Sequence, residues 1–201
     1  MLSFKQYLNE EVEGSLSIFD IDDTLFHSKS KVLVKKDGKT VKELEPAEYN
    51  VYKLEPGETY DFSQFRSSKI FYDTARPIET VFKLAKRMIA QFGKYVNKKI
   101  IIVTARSDLD NKNLFLKTFQ KYGFNTDKVH VYRAGNISKP GAEAKKQIIR
   151  DQIKVGKYNI VRMFDDDHNN LNKFLELAKE FVGIKFEAFA ITKQGQIQRY
   201  G

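Results

Sequence analysis

One stretch near the N-terminus, Ser15-Leu16-Ser17-Ile18-Phe19-Asp20-Ile21-Asp22-Asp23-Thr24-Leu25-Phe26, constrains this chain more than any other. An apolar run ends abruptly in three carboxylates and a threonine. Leu16, Ile18 and Phe19 read as a buried strand. Asp20 and Asp22 are two residues apart, so an extended backbone points both to one side, and a loop after the strand lets them converge on one point. Two carboxylates so placed repel each other unless a cation or a proton sits between them. Mg²⁺ suits such a place, because it takes hard oxygen ligands and keeps positions open for phosphate oxygens. The plainer reading is an acidic turn in which Asp23-Thr24 caps a helix. A motif this short decides nothing alone, and the rest of the chain has to supply partners at matching places.

It does so at two further strand ends. Ile100-Ile101-Ile102-Val103 is β-branched without alternation, as in a strand buried on both faces, and it runs into Thr104-Ala105-Arg106. Asn159-Ile160-Val161-Arg162-Met163-Phe164 runs into Asp165-Asp166-Asp167. Val129–Tyr132 and Ile184–Ile191 read as two more strands. Helical spacing places helices from Pro77 to Gly93, from about Leu109 to a stop at Gly123, from Pro140-Gly141 to about Ile153, and from Asn169 to Phe181. Strands alternating with helices imply an α/β fold with a central five-stranded parallel sheet and helices on both faces. Ligands of such sheets bind at the carboxyl ends of the strands, where Asp20–Thr24, Thr104–Arg106 and Asp165–Asp167 fall.

Residues 27–75 keep no helical period. Lys31 to Val41 reads as a hairpin, since Asp37-Gly38 between β-branched residues favours a type I′ turn. Pro46, Pro56 and Gly57 then break the chain among Tyr49, Tyr52, Tyr60, Phe62 and Phe65. The segment reads as a small flap or cap inserted in a domain spanning 15–201, its aromatics serving for packing or for stacking on a base. Residues 1–14 form a separate N-terminal segment with Phe4, Tyr7 and Leu8 on one face.

At 201 residues the chain fits one domain. It has no cysteine, which removes disulfides and thiolate metal sites and fits a reducing cytoplasm. No apolar run reaches membrane-spanning length, so no membrane partner is expected. A formal net charge of +9 favours anionic partners, or else lysines that solubilise the surface.

These motifs, in this order and strand context, resemble the haloacid dehalogenase-like (HAD) phosphohydrolases: Asp20-Ile21-Asp22-Asp23-Thr24 first, then Thr104, a lysine on or before a helix, and Asp165-Asp166. The resemblance implies a Rossmann-like fold and a Mg²⁺-dependent phosphatase. Asp20 would be the nucleophile and Asp22 the acid–base residue. Thr104 would bind the phosphoryl oxygens. Asp20 and one or both of Asp165 and Asp166 would hold Mg²⁺, with the backbone carbonyl of Asp22 as a further ligand. The lysine is Lys145, Lys139 or Lys146, in that order. On the helix, Lys145 shares a face with Ala142, Ile148 and Ile149, so its stem can be buried while its ammonium reaches the site. Thr104-Ala105-Arg106 is similar to the second motif of the phosphatase domain of polynucleotide kinase/phosphatases, which makes Arg106, with Thr24 and Lys146, a candidate substrate contact and points to a nucleotide or nucleic-acid end. Ser3-Phe4-Lys5-Gln6-Tyr7-Leu8 resembles the start of tailed-bacteriophage proteins, and for a phage protein the compartment is the host cytoplasm. Two alternatives stay open: a phosphatase for a sugar phosphate or other small metabolite, and a non-catalytic module that binds phosphate or nucleic acid. Asp167 also reads as a helix N-cap, and His168 as helix-start surface.

Overall fold

The structure is a computed structural model and describes residues 14–49, 51–91 and 98–201. In chain order, β1 (Ser15–Phe19) is followed by β2 (Phe26–His27), β3 (Val32–Lys36), β4 (Lys39–Leu44), α1 (Pro46–Tyr49), β5 (Glu58–Asp61), α2 (Ser63–Arg66), α3 (Ser68–Thr74) and β6 (Arg76–Pro77). Next come α4 (Glu79–Ala90), β7 (Lys98–Thr104), α5 (Lys112–Lys121), β8 (His130–Arg133), α6 (Gly141–Val155), β9 (Ile160–Asp165), α7 (His168–Leu175), β10 (Lys185–Ile191) and β11 (Ile197–Tyr200). The expected N-terminal segment, apart from Gly14, and the helix stop at Gly93 lie outside the described residues.

The main sheet has the order β11-β10-β9-β1-β7-β8. Five of its strands are parallel, as the sequence indicates, but the sheet has six: β11 pairs antiparallel with β10, from Ala188 opposite Tyr200 to Ile191 opposite Ile197. This edge strand is four residues long and mostly polar, so it lacks the apolar run that marks the others. The second difference is at Pro77, which does not open a helix. It pairs with Phe26 in the two-residue β2–β6 ladder, and α4 begins at Glu79. Asp37-Gly38 does form the two-residue hairpin turn, with φ of 51° and 75° at its two positions as a type I′ turn requires. The hairpin is widened by β5 into a small sheet ordered β4-β3-β5.

Strand faces explain the layers. Leu16 and Ile18 of β1 pack with Ile101, Val103, Val161 and Met163 under α6 and α7. Phe19, Ile100, Ile102 and Phe164 face the other way, under α4 and α5. Phe19, Phe164 and Phe189 stack across three adjacent strands at 4.6 and 4.8 Å. With both faces covered, β1 has no solvent side, and even Ser15 and Ser17, which alternate with Leu16 and Ile18, are buried. From β1 the chain passes to β7 and β8 on one side, then returns to β9 and β10 on the other. That reversal makes the carboxyl end of β1 a topological switch point.

Candidate active site

Strands β7, β1 and β9 are neighbours, and each ends in a polar group. The register sets Phe19 opposite Ile102 and Phe164, so Asp20 follows at the level where β9 reaches Asp165. The Asp20 N–H donates to the Phe164 carbonyl at 3.0 Å, which fixes the first loop residue to the neighbouring strand. Asp23 has φ of 55° and turns the chain back on itself, with its N–H on the Phe26 carbonyl at 2.8 Å.

Lys145 completes the centre. It lies on the inner face of α6 with Ala142, Ala144, Ile149 and Ile153. Its ammonium donates to Asp20 Oδ1 at 2.7 Å and to Asp165 Oδ2 at 2.8 Å. The other Asp165 oxygen accepts from the Asp167 N–H at 3.0 Å and from Asn170 Nδ2 at 2.9 Å. Burial pushes the Asp20 carboxyl well above the usual carboxylate range; Lys145 opposes this and the charges of Asp165, Asp166 and Asp22 reinforce it. Burial alone would favour a neutral amine on Lys145, but Asp165 and Asp20 outweigh it and hold the lysine protonated. Asp166 is pushed up to about 7 by burial and then by Asp165, against the pull of Lys145.

One carboxylate oxygen each from Asp20, Asp165 and Asp166 lies within 4.8 Å of the others. This is a crowded, oxygen-only donor set carrying more negative charge than one lysine offsets. Such a set fits a hard divalent cation.

The second pair of charges sits beside the first. Arg106 follows β7, is 3% exposed, and grips Asp22 with both arms: Nε to Oδ2 at 2.8 Å and Nη2 to Oδ1 at 2.6 Å. Its Nη1 donates to the Phe65 carbonyl at 2.9 Å, and Nη2 also reaches Ser28 Oγ at 3.3 Å. The guanidinium lies over the rings of Phe71 and Phe65, at 4.5 and 5.2 Å. Gly135 backs this loop so closely that a Cβ there would stand 2.4 Å from the Ala105 carbonyl oxygen.

No protein-family model and no curated protein matches the sequence. A solved structure, the HAD domain of the effector protein Lem4 from Legionella pneumophila, aligns with a TM-score of 0.52 at 10% identity, covering 88% of this chain and 85% of that one. The chain has the HAD fold. At that identity the likeness concerns architecture alone, so the site of this HAD fold is read from its own residues.

Asp20, Asp22, Lys145 and Asp166 line one cavity of about 500 Å³. Thr24 is buried and donates to Asp166 Oδ1 at 3.2 Å, bracing the acid rather than lining the cavity. Thr104 is likewise buried, its Oγ1 accepting the Arg106 N–H at 3.2 Å. Lys139 lines the cavity mouth but is exposed and donates to Gln147. Lys146, expected at the substrate, pairs instead with Glu176 at 2.6 Å, because one helical step turns it away from the face of Lys145. Arg106, expected to grip phosphate, grips Asp22. Asp167 is the α7 N-cap, its carboxylate accepting from the Asn169 N–H at 2.8 Å. Sequence reading did not single out Ser28 or the Phe65 carbonyl, and no sequence signal marks a backbone acceptor. Among the described residues, no helix is long and apolar enough to cross a membrane.

Proposed function

We propose that the protein is a Mg²⁺-dependent phosphohydrolase that cleaves phosphate monoesters through an aspartyl-phosphate. The observation that carries this reading is the buried Asp20–Lys145–Asp165 bridge at the switch point, with Asp166 beside it. Asp20, Asp165 and Asp166 would hold the cation, which when bound offsets charge between the nucleophile and the anionic substrate. Asp20 attacks phosphorus, and the bond from phosphorus to the leaving oxygen breaks. Asp22 takes up a proton as one of its oxygens leaves Arg106, and gives that proton to the leaving oxygen, so an alcohol departs. Asp22 then takes a proton from water, the resulting hydroxide attacks the phosphorus of the aspartyl-phosphate, and phosphate leaves with Asp20 restored. Lys145 stays protonated throughout and orients Asp20.

The proposal extends to the substrate: a nucleotide or nucleic-acid end. A net charge of +9 supports it. The test is phosphate release by wild type and Asp20→Asn, with Mg²⁺ and with EDTA, over p-nitrophenyl phosphate, nucleoside monophosphates, sugar phosphates and phosphorylated oligonucleotides. The expected result is metal-dependent release that Asp20→Asn lowers by about a thousandfold or more. Full activity in that variant overturns the mechanism.

A further inference from the structure

The inserted segment, residues 27–75, contributes to the catalytic cavity through Val32, Pro46, Tyr49, Phe62 and Phe65. None of these is charged, although the same segment is dense in lysine and glutamate. The strand ends and α6 supply the opposite chemistry, with Asp20, Asp22 and Asp166 from the first and Lys145 from the second. The cavity is therefore divided into an ionic part and an aromatic part, and its volume of about 500 Å³ suits a small organic ligand.

Phe62 is the unusual member. The small sheet has its own buried cluster in Val32, Val34 and Leu44, yet Phe62 is left 41% exposed. It is not loosely held. Tyr49 meets it edge to face at 5.4 Å and 86°, and Tyr60 leans against it at 6.1 Å. Tyr60 is fixed in turn, its hydroxyl donating to the Tyr52 carbonyl at 2.9 Å. A braced ring with open surface, in a cavity that also holds the nucleophile, is a platform for a flat partner.

We infer that Phe62, braced by Tyr49, stacks on an aromatic ring carried by the alcohol part of the phosphomonoester, and that this ring is a nucleobase. The inference rests on the hydrolase reading and deepens it by naming the part of the substrate that the aromatic wall reads. A sugar phosphate fits the wall poorly. Its hydroxyls call for several polar partners, and the tyrosine hydroxyl of Tyr49 is the one side-chain polar group among those five residues. Free nucleotides and oligonucleotide ends share the recognised chemistry.

The chain has no tryptophan, so Phe62→Trp places a unique fluorescent reporter in the wall. Titration with nucleoside monophosphates should quench or shift the indole, while ribose 5-phosphate and inorganic phosphate should not. A stronger response to a phosphorylated oligonucleotide than to a mononucleotide assigns the nucleic-acid end, and the reverse assigns the free nucleotide. In kinetics, Phe62→Ala should raise KM for base-bearing substrates by about 5- to 150-fold, as expected for losing one base–aromatic stack, and so collapse their preference over ribose 5-phosphate. Two results overturn the inference: equal response of the indole to ribose 5-phosphate and nucleotides, or an unchanged preference in Phe62→Ala. In either case metal-dependent release that vanishes in Asp20→Asn leaves the hydrolase reading standing. A nucleotide-specific indole response without turnover has the opposite meaning.

Discussion

Lys145→Met removes the cation at the centre of the site and keeps most of its volume. Lys145 is 2% exposed, Asp20 5% and Asp165 0%, so the whole bridge is dry. At an effective dielectric of about 20, two unit charges at 2.7 Å attract by about 6 kcal/mol, and the second contact doubles that. Relief of the buried ammonium's desolvation returns part of the loss. The variant then keeps three carboxylates within 4.8 Å and no cation. Breaking a buried pair on one side costs about 3–5 kcal/mol, which is the expected destabilisation at neutral pH without divalent ions. Its pH dependence has a definite sign. In the variant Asp20 has lost the one neighbour that opposed its upward shift, so its folded pKa lies still further above the unfolded value. Stability from such a group is present below about pH 4 and lost as pH rises. The deficit against wild type should therefore grow from pH 5 to pH 7.5, and Mg²⁺ should narrow it at pH 7.5. Urea unfolding at the two pH values, with Mg²⁺ and with EDTA, measures all three effects. A deficit below about 1 kcal/mol, or one indifferent to both pH and Mg²⁺, refutes the reasoning that Lys145 neutralises this cluster.

Two other substitutions probe the neighbouring loop. Arg106→Gln frees both oxygens of Asp22, so loss of activity on an unactivated alkyl phosphate should exceed loss on p-nitrophenyl phosphate by about tenfold or more, because the better leaving group needs no proton; equal losses would make Arg106 a substrate contact or a packing residue. Gly135→Ala puts a methyl 2.4 Å from the Ala105 oxygen and 2.6 Å from the Ser107 nitrogen, and should destabilise by about 1–3 kcal/mol in urea while lowering activity through Arg106; unaltered stability would show that the loop yields freely.

The strand ends were legible because burial on both faces writes itself as unbroken β-branched sequence, and the polar residue that ends such a run marks the sheet's edge. Ile100–Val103 into Thr104 is of this kind, and Ile160–Phe164 into Asp165 is apolar but for Arg162, which is buried against Glu187. Lys145 was separable from Lys146 by helical phase: its own face carries Ala142 and Ile149, whereas Glu143, Lys146 and Arg150 form ion pairs with Lys173, Glu176 and Glu180. β11 was not legible, since an edge strand paired on one side needs little apolar content. Nor was the partner of Arg106. A guanidinium suits a phosphate and a carboxylate equally well, and only the fold decides that Asp22, 84 positions earlier, stands in reach.

That partnership also ties the inserted segment to the chemistry. The site keeps its acids in two groups, each with its own cation: Lys145 for Asp20 and Asp165, Arg106 for Asp22. The first pair is built from the sheet and α6 alone. The second is not, because Arg106 also holds the Phe65 carbonyl of α2 and lies against the rings of Phe65 and Phe71. The loop after β7 adds two more ties, with the Asp110 N–H on the Arg66 carbonyl at 3.1 Å and the Ser68 N–H on Asp110 Oδ1 at 2.8 Å. Phe62 sits just before α2, on the same short stretch. A ligand that presses on Phe62 therefore acts on a segment that shares hydrogen bonds with the residue gripping Asp22. Displacing that segment cannot leave the Arg106–Phe65 bond unchanged unless Arg106 moves too. The proposed recognition by the aromatic wall and the orientation of the proposed acid are thus joined by one buried guanidinium, whereas Asp20, the proposed nucleophile, is held by Lys145 from α6.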